Sequence, residues 1–320
     1  MIQPYDLPLE QLEQYVPPLT RPDDFKEFWA KSQEMMAAEP LEERVRPVSY
    51  PARGVSLSRV EFRGFGGARI RGWYAEPTAD DVSPGLILFH GYNWNLEGGV
   101  HDIVNWALHG YRAFGIAVRG QQDSGESVPS PHGHVAGWMT QGILDPMQYY
   151  YRGVYLDAIR AVNWLGMQSG VDATRMGVVG ASQGGGLALA VSALSRGVKV
   201  AVAEYPFLCH FERAVNLAPA GPYGEINEFF RRNGDPAIES QVFRTLSYFD
   251  AMNLAPWIEN PVLVSTGLID QITPPSTIFG AYHHIGSSHK EIRVYRYFGH
   301  EPSPRFHTEK LEFLRRHLQP

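Results

Sequence analysis

A serine between two glycines, at the end of an apolar run, is the part of this chain whose residue types most directly indicate chemistry. The sequence Gly180-Ala-Ser-Gln-Gly184 places Ser182 after a short strand-like segment, 175–180, and before the apolar, alanine-rich segment 187–194. A sharp turn from strand to helix needs glycines, because a Cβ atom would clash there, and it leaves the serine on a strained corner. The pattern therefore predicts a nucleophilic serine.

Two residues further along the chain are predicted to activate this serine. A serine hydroxyl is a poor nucleophile unless a base accepts its proton and a third group orients that base. Asp270 and His300 each follow an apolar strand-like run, and open α/β sheets place ligands at the carboxyl ends of their strands. The order Ser182, Asp270, His300 is that of α/β hydrolases. We therefore predict that His300 takes the serine proton during attack on an ester carbonyl and later activates water, while Asp270 fixes the imidazole tautomer.

Two backbone N–H groups are predicted to bind the oxyanion that forms during acyl transfer. One belongs to Tyr92, in the run His90-Gly-Tyr92 after the first core strand, and the other to Gln183, directly after the nucleophile. Tyr92 and Ile272 flank the proposed catalytic groups, so we also predict that their side chains form walls of the acyl pocket.

Charged residues near these motifs are predicted to brace loops. Arg119, at the end of a strand-like run, is expected to hold a buried charge pair with Asp123, because a guanidinium binds a carboxylate through two hydrogen bonds. Glu301, directly after His300, is expected to brace in the same way. We predict no metal and no cofactor. No cysteine or carboxylate pattern completes a ligand set with the histidines that could be imagined as metal ligands, which are His132, His134, His283, His284 and His289.

Composition limits the classes of partner. The 320 residues carry a net charge of −6, with 44% hydrophobic and 19% charged residues, which is ordinary for a soluble globular enzyme. This charge argues against nucleic acid and anionic membranes as partners, and no run approaches the length of a transmembrane span. The single cysteine, Cys209, has no intramolecular disulfide partner and fits a reducing compartment. With no visible secretory signal, we expect a cytoplasmic protein.

The pattern of strands and helices predicts one α/β domain, 1–320, with a mostly parallel central sheet flanked by helices. Residues 55–77 read as an antiparallel hairpin around the glycine-rich run 64–67, and no G-x-G-x-x-G motif follows a strand, so we reject a dinucleotide-binding fold. The core strands are predicted at 85–90, 113–119, 175–180, 198–204, 261–266 and 291–298.

Three further segments are predicted to surround this core. Residues 1–50 form a helical extension that packs on the main body through Phe25, Phe28 and Trp29. The connections 120–151 and 206–257 are too long for simple crossovers. We expect them to carry subunit contacts and walls of the substrate pocket.

Taken together, these motifs resemble those of carbohydrate esterase family seven, which comprises cephalosporin C deacetylases and acetyl xylan esterases. Related stretches extend over nearly the whole chain. The sequence departs locally from the family pattern at Gln122-Asp123, directly after Arg119-Gly-Gln121. The similar motifs are Arg119-Gly-Gln121, the glycine-rich run 180–186 around Ser182, Asp270 within 267–277, His300-Glu301, and the segments 90–93, 138–140, 230–233 and 245–250.

The resemblance implies an α/β-hydrolase fold with a triad of Ser182, Asp270 and His300. It also implies a structural role for Arg119 and Gln121, and hydrolysis by water of acetyl groups on small acetylated sugars and on cephalosporin C, without a metal. Finally, it implies a homohexamer in which the segment around Trp138 forms part of the interface. Active sites would then face an internal cavity that excludes large polymers.

Three alternatives remain open at this stage. A broader short-chain carboxylesterase or a lipase would share the triad and differ in the acyl length that it accepts. A non-catalytic scaffold with a hydrolase fold would keep the architecture without the reaction. A peptidase is less favoured, because no propeller-sized domain accompanies the core.

Overall fold

A mixed sheet of nine strands runs through the computed structural model, which describes residues 5–79, 81–94, 99–126, 135–218 and 221–318. Its order is β1-β2-β3-β5-β4-β6-β7-β8-β9. The pairs β1–β2, β2–β3 and β3–β5 are antiparallel. The pairs from β5–β4 to β8–β9 are parallel. The strands are β1 (Arg44–Val48), β2 (Val55–Arg63), β3 (Arg69–Pro77), β4 (Ser83–Phe89), β5 (Arg112–Ile116), β6 (Val171–Ala181), β7 (Val200–Glu204), β8 (Val262–Gly267) and β9 (Lys290–Tyr295).

Helices cover both faces of this sheet, as predicted for an α/β fold whose central strands are apolar on both sides. The helices of the described residues are α1 (Leu9–Leu12), α2 (Phe25–Ala38), α3 (Val100–Leu108), α4 (Tyr150–Gly166), α5 (Gln183–Leu194), α6 (Phe211–Leu217), α7 (Tyr223–Arg232), α8 (Pro236–Ser247), α9 (Ala251–Leu254), α10 (Pro275–His284) and α11 (Pro304–Leu318).

Alternate side chains of the central strands enter two separate apolar clusters. Leu86 of β4 and Val179 of β6 pack with α3 and α11. Their neighbours Ile87 and Val178 pack with α4 and α5. Because strand side chains alternate between faces, the continuous apolar runs seen in the sequence have a partner layer on each side.

The hairpin prediction is confirmed. Strands β2 and β3 pair antiparallel from Val55 opposite Pro77 to Arg63 opposite Arg69, and a short 3₁₀ turn, Phe65–Gly67, lies in the connection.

The N-terminal extension holds the predicted helix and a strand that the sequence analysis did not anticipate. Phe25, Phe28 and Trp29 of α2 are buried, and the Trp29 indole donates a hydrogen bond to the Tyr248 carbonyl over 3.0 Å. Strand β1 then adds to the sheet edge. A proline at position 47 is tolerated there, because an edge strand has one side free of ladder bonds.

The two long connections differ in character. The described part of 120–151 runs through turns until α4 begins, whereas 206–257 folds into the helices α6 to α9. Both lie beyond the carboxyl ends of central strands, β5 and β7 respectively. They are therefore placed where the parallel strands present their polar residues.

Candidate active site

The turn at Ser182 joins β6 to α5 in a single residue with φ 55° and ψ −119°. A non-glycine residue with positive φ costs on the order of 1–3 kcal/mol and persists only where surrounding contacts fix it. Here the Ser182 N–H donates to the Glu204 carbonyl over 3.0 Å, and its own carbonyl accepts from the N–H groups of Gly186 and Phe207 at 3.0 and 2.9 Å. The backbone on both sides thus holds the serine on a strained corner.

Glycines permit this corner because neighbouring backbone lies where their Cβ atoms would be. A Cβ at Gly180 would overlap the backbone of Gly184, and a Cβ at Gly184 would overlap the Phe89 carbonyl oxygen at the end of β4. The motif glycines are therefore required by close packing of strand against helix, as the sequence predicted.

The structure brings Ser182, Asp270 and His300 together in one hydrogen-bonded line. His300 Nε2 lies 2.8 Å from Ser182 Oγ, and His300 Nδ1 lies 2.9 Å from Asp270 Oδ2. Asp270 follows β8 and His300 follows β9, and these neighbouring parallel strands bring the two residues to the same edge of the sheet. A Cβ at Gly267 would overlap the Phe298 carbonyl, so the two loops lie in contact.

The carboxylate of Asp270 is fully buried, and it accepts hydrogen bonds from other donors in addition to the His300 imidazole. Oδ1 accepts from the N–H groups of Ile272 and Thr273 at 2.8 and 2.9 Å, and Oδ2 also accepts from Thr273 Oγ1 at 2.7 Å. These bonds fix the orientation of the carboxylate, with Oδ2 toward His300 Nδ1. Sequence reasoning missed Thr273, although an aspartate followed three residues later by threonine is typical of a side-chain-capped turn.

The two predicted oxyanion donors are both available. Gln183 is the first residue of α5, so its N–H has no acceptor within the helix. Tyr92 follows β4 in a turn. Within the described chain, neither N–H has a hydrogen-bond acceptor. The positive end of the α5 dipole also lies at Gln183, which favours negative charge at this position.

The Gln121 side chain links the two donor segments. Its Oε1 accepts from the Asn93 N–H at 2.8 Å, next to Tyr92, and its Nε2 donates to Gln183 Oε1 at 2.9 Å. The Tyr151 hydroxyl donates to the same Gln183 oxygen at 3.0 Å. Gln121 is completely buried, so these bonds are shielded from water. The support role that was predicted for Gln121 thus has a specific geometry.

The Tyr92 side chain is held by the two long connections. Its hydroxyl donates to Glu225 Oε1 on α7 at 2.7 Å and accepts from the Trp138 N–H at 2.7 Å. Glu225 Oε2 accepts from the Met139 N–H at 3.0 Å, and burial raises the pKa of its carboxyl. Sequence reasoning did not find Glu225, because nothing in its local pattern marks it as a partner of Tyr92.

His90 fastens the start of this loop to the neighbouring strand segment. Its Nε2 accepts from the Val118 N–H at 2.9 Å, and its Nδ1 donates to the Gly91 carbonyl at 2.7 Å. Burial lowers the pKa of His90 to about 4. The imidazole is therefore neutral, with its proton on Nδ1.

The predicted pairing of Arg119 with Asp123 is wrong. Arg119 forms two hydrogen bonds with Asp157 of α4, at 2.7 Å from Nε and 2.8 Å from Nη2, and both side chains are buried. Asp123 instead pairs with Arg59. The chain after β5 turns its guanidinium toward the face that α4 covers, which sequence spacing alone does not reveal. Arg119 thus braces the chain through Asp157. Removing one partner of such a buried pair lowers the free energy of unfolding by about 3–5 kcal/mol.

Two other predicted positions have weaker contacts. Glu301 is exposed, and its Oε1 accepts from the Gly299 N–H at 3.4 Å, so it does not brace the loops as expected. Ile272 is half-buried, and its side chain faces Gly221, where an added Cβ would lie 3.0 Å from Ile272 Cδ1.

Among the described residues, the other histidines that were considered as metal ligands do not gather around a common point. His283 and His284 donate from Nε2 to the carbonyls of Leu12 and Pro17 at 3.1 and 2.7 Å. Over the part of the chain that the structure describes, no group of three or more histidine, cysteine or carboxylate side chains has metal-binding geometry. His132 and His134 lie outside the described residues. Among the described helices, none is long and apolar enough to cross a membrane.

A serine at a strained strand-to-helix corner, above a mostly parallel sheet and bonded to a histidine and an aspartate in this chain order, defines the α/β-hydrolase fold. This is the predicted fold. A family model described as acetyl xylan esterase matches residues 2–317. The chain therefore belongs to the acetyl xylan esterase family, as its motifs indicated. Membership supports hydrolysis of acetyl esters.

Similar proteins are named acetyl xylan esterases or an acetyl esterase. The chain is 42% identical to an acetyl xylan esterase structure from Paenibacillus sp. R4, over 98% of this chain and 100% of that one, with a TM-score of 0.94. It is 34% identical to acetyl xylan esterase 1 from Thermoanaerobacterium sp. JW/SL YS485, over 97% and 98% of the chains, with a TM-score of 0.92. It is 30% identical over 143 residues to acetyl esterase Axe7A from Xylanibacter ruminicola, a match that spans 45% of this chain and 31% of that protein.

The first prediction concerns the close approach of β4 and α5. Gly184→Ala places a methyl group against the Phe89 carbonyl, so it displaces Gln183 and destabilises the fold by about 1–3 kcal/mol or more. Because Gln183 is a predicted oxyanion donor, we expect its displacement to lower kcat by about 100-fold. Ester hydrolysis and urea unfolding measure both effects.

The matched control is Gly224→Ala in α7, where an added Cβ has no neighbouring atom within 4 Å. This variant keeps the activity of the unsubstituted protein. Equal activity of the Gly184 and Gly224 variants would contradict the packing argument.

The second prediction concerns pH. Because burial lowers the pKa of His90 to about 4, the unfolded chain binds a proton at this residue between about pH 6.5 and 4, and the folded chain does not. The free energy of unfolding contributed by His90 therefore falls by about 2 to 3 kcal/mol as the pH drops through this window. His90→Gln keeps an acceptor and a donor and does not titrate, so its stability falls correspondingly less.

Unfolding in urea at pH 7.5 and pH 4.5 measures this difference. His210, whose pKa burial also lowers to about 4, titrates in both proteins and cancels in the comparison. An identical pH dependence of the two proteins would refute the role assigned to His90.

Proposed function

We propose that this protein is a serine esterase that removes acetyl groups from small acetylated substrates through an acetyl-enzyme on Ser182. The observation that carries the proposal is the distance of 2.8 Å between Ser182 Oγ and His300 Nε2, in line with the bond of 2.9 Å from His300 Nδ1 to Asp270. This arrangement lets one imidazole take a proton from the serine and return it to a leaving group.

The first half of the reaction forms the acetyl-enzyme. Ser182 Oγ attacks the acetyl carbonyl while its proton moves to His300 Nε2, and the ionised Asp270 stabilises the imidazolium. The tetrahedral oxyanion accepts from the N–H groups of Tyr92 and Gln183. The C–O bond to the sugar then breaks, and His300 donates its proton to the departing alkoxide, which leaves as an alcohol.

The second half consumes water. His300 removes a proton from a water molecule, whose oxygen attacks the acetyl carbonyl, and the proton then passes to Ser182 Oγ as acetate leaves. Each cycle converts one ester and one water into one alcohol and one acid. The buried network around Gln121 supports both halves, because it keeps the two N–H donors in place without reorganisation.

Aromatic side chains pack beside the nucleophile, and we propose that they lie behind the acyl pocket. The ring of Phe207 lies 4.2 Å from that of Tyr223 and 6.4 Å from that of Tyr92, and Phe207 bonds to the nucleophile's carbonyl. Ile272, packed against Gly221, is proposed as a further wall. A pocket with these rigid walls favours a short acyl group.

For substrates, we propose acetylated xylo-oligosaccharides and cephalosporin C. The family and the names of the two acetyl xylan esterase structures described above support acetylated xylan fragments. Cephalosporin C is proposed from the motif resemblance, because it also carries an acetyl ester on a small molecule. We further propose a cytoplasmic homohexamer with the Trp138 segment in its interface. The half-buried Trp138 lies edge-on to the Tyr92 ring at 5.2 Å. An interface there would adjoin the turn after β4 that carries Tyr92, which we call the oxyanion loop.

The third prediction tests the nucleophile. Ser182→Ala abolishes acetate release from acetylated xylo-oligosaccharides, cephalosporin C and 4-nitrophenyl acetate, because no other residue forms the acetyl-enzyme. Ser240→Ala, an exposed serine on α8, serves as the control and keeps full activity. Acetate release that persists in Ser182→Ala would remove this serine from the mechanism. If neither the unsubstituted protein nor Ser182→Ala released acetate, the result would favour a non-catalytic scaffold.

The fourth prediction tests the acyl pocket. Each added methylene that the pocket fails to accommodate costs about 1–3 kcal/mol in discrimination, so kcat/KM falls at least tenfold from acetyl to butyryl esters of 4-nitrophenol. Ile272→Ala enlarges the pocket and reduces this ratio. Equal rates on both esters would contradict the proposed preference for acetyl groups. They would support the alternative that the protein is a broader short-chain carboxylesterase.

A further inference from the structure

A cavity lies beside the catalytic residues, on the face of the sheet that α3 and α11 cover. Its volume is about 380 Å³, within the range of small-molecule sites. Gly180 and Ala181, the two residues before the nucleophile, form part of its wall, whereas Ser182 and His300, both described by the structure, do not line it.

The buried part of the lining is largely apolar, and its exposed part, called the rim, is polar. Val179 and Ile103 are buried and Leu88 is half-buried, whereas the buried Glu204 and His90 add polar groups. The rim carries exposed side chains that together offer hydrogen-bond donors and acceptors, one set from each helix. They are Asp102, Asn105 and His109 of α3 and its C-terminal end, and His307 and Thr308 of α11.

The charges of the lining disfavour an anionic ligand. The Lys310 ammonium is paired with the buried carboxylate of Glu204, so its charge is already matched. Asp102 adds a negative charge at the rim. An anion would therefore be repelled, and the exposed rim offers hydrogen bonds rather than a compensating charge.

Trp94 provides a flat apolar surface at the same cavity. Its indole is 45% exposed, and it lies over Gly91, where an added Cβ would overlap the ring. Gly91 precedes Tyr92, so a ligand that packs on Trp94 contacts a residue that touches the oxyanion loop. An exposed indole face beside carboxylate, amide and imidazole groups suits a pyranose, whose C–H face packs on the ring while its hydroxyls bond to the rim.

We propose that this cavity binds a neutral sugar of one or two pyranose rings at a site separate from the acetyl-ester site. The choice of a sugar over a neutral aromatic molecule rests on the proposed function and on the paired polar rims, which an aromatic molecule would leave unused. Through Trp94 and Gly91, the bound sugar lies against the loop that carries Tyr92.

Isothermal titration calorimetry with xylobiose and xylotriose tests this proposal in the full-length Ser182→Ala protein. Because binding is measured without turnover, its result is independent of the acetate-release assay that tests the nucleophile. We expect saturable binding. Adding Trp94→Ala, or Asp102→Ala together with Asn105→Ala, weakens it at least tenfold. The rim substitutions lie on exposed positions of α3 and keep the proposal testable if the Trp94 variant fails to fold.

Leu108→Ala is the matched control. Leu108 is 58% exposed on the same helix and does not line the cavity, so its variant binds xylobiose within twofold of the parent. Absence of sugar binding would overturn the proposal. Binding that none of the Trp94, Asp102 and Asn105 substitutions changes would also overturn it, because the sugar would then occupy another site. Binding of phenol without binding of xylobiose would assign the cavity to aromatic molecules instead.

Discussion

The whole site depends on one backbone constraint, the positive φ of Ser182 between β6 and α5. A residue at φ 55° and ψ −119° reverses the chain within one step, so the serine hydroxyl projects away from the sheet and the first N–H groups of α5 point toward the same space. This geometry forces the helix against the end of β4, and glycine at 184 is the consequence. The strain is offset by the backbone bonds to Glu204 and Phe207, which tie the corner to β7 and the segment after it.

Around this corner, buried hydrogen bonds within the protein orient the groups of the site. Gln121 joins the segment after Tyr92 to Gln183, His90 joins the same loop to Val118, and Asp270 is held by three donors besides the imidazole. Groups held in this way need no reorganisation when charge develops on the substrate. Their positions come from β4, β5, β6 and β8, so the rigidity of the site is that of the sheet itself.

Much of this arrangement could be read from the sequence, and the rest follows from contacts that spacing does not encode. Continuous apolar runs indicated the central strands, and the order of Ser182, Asp270 and His300 indicated residues that the structure places together. The partner of Arg119 was mistaken, because Asp123 is near in sequence while Asp157 is near in space. Glu225 and His90 were not found as partners of the oxyanion loop, since hydrogen bonds between distant segments depend on how the loops pack. Strand β1 was missed because an edge strand with a proline has a weak local signal.

Trapping the acetyl group on the enzyme tests the central claim most directly. The protein is mixed with 4-nitrophenyl acetate, quenched in acid within the first turnover, digested and analysed by mass spectrometry. We predict one added acetyl group on the peptide that contains Ser182, and none in Ser182→Ala. An acetyl group found on another residue, or rapid hydrolysis with the label absent from Ser182 at every quench time, would contradict the acetyl-enzyme mechanism.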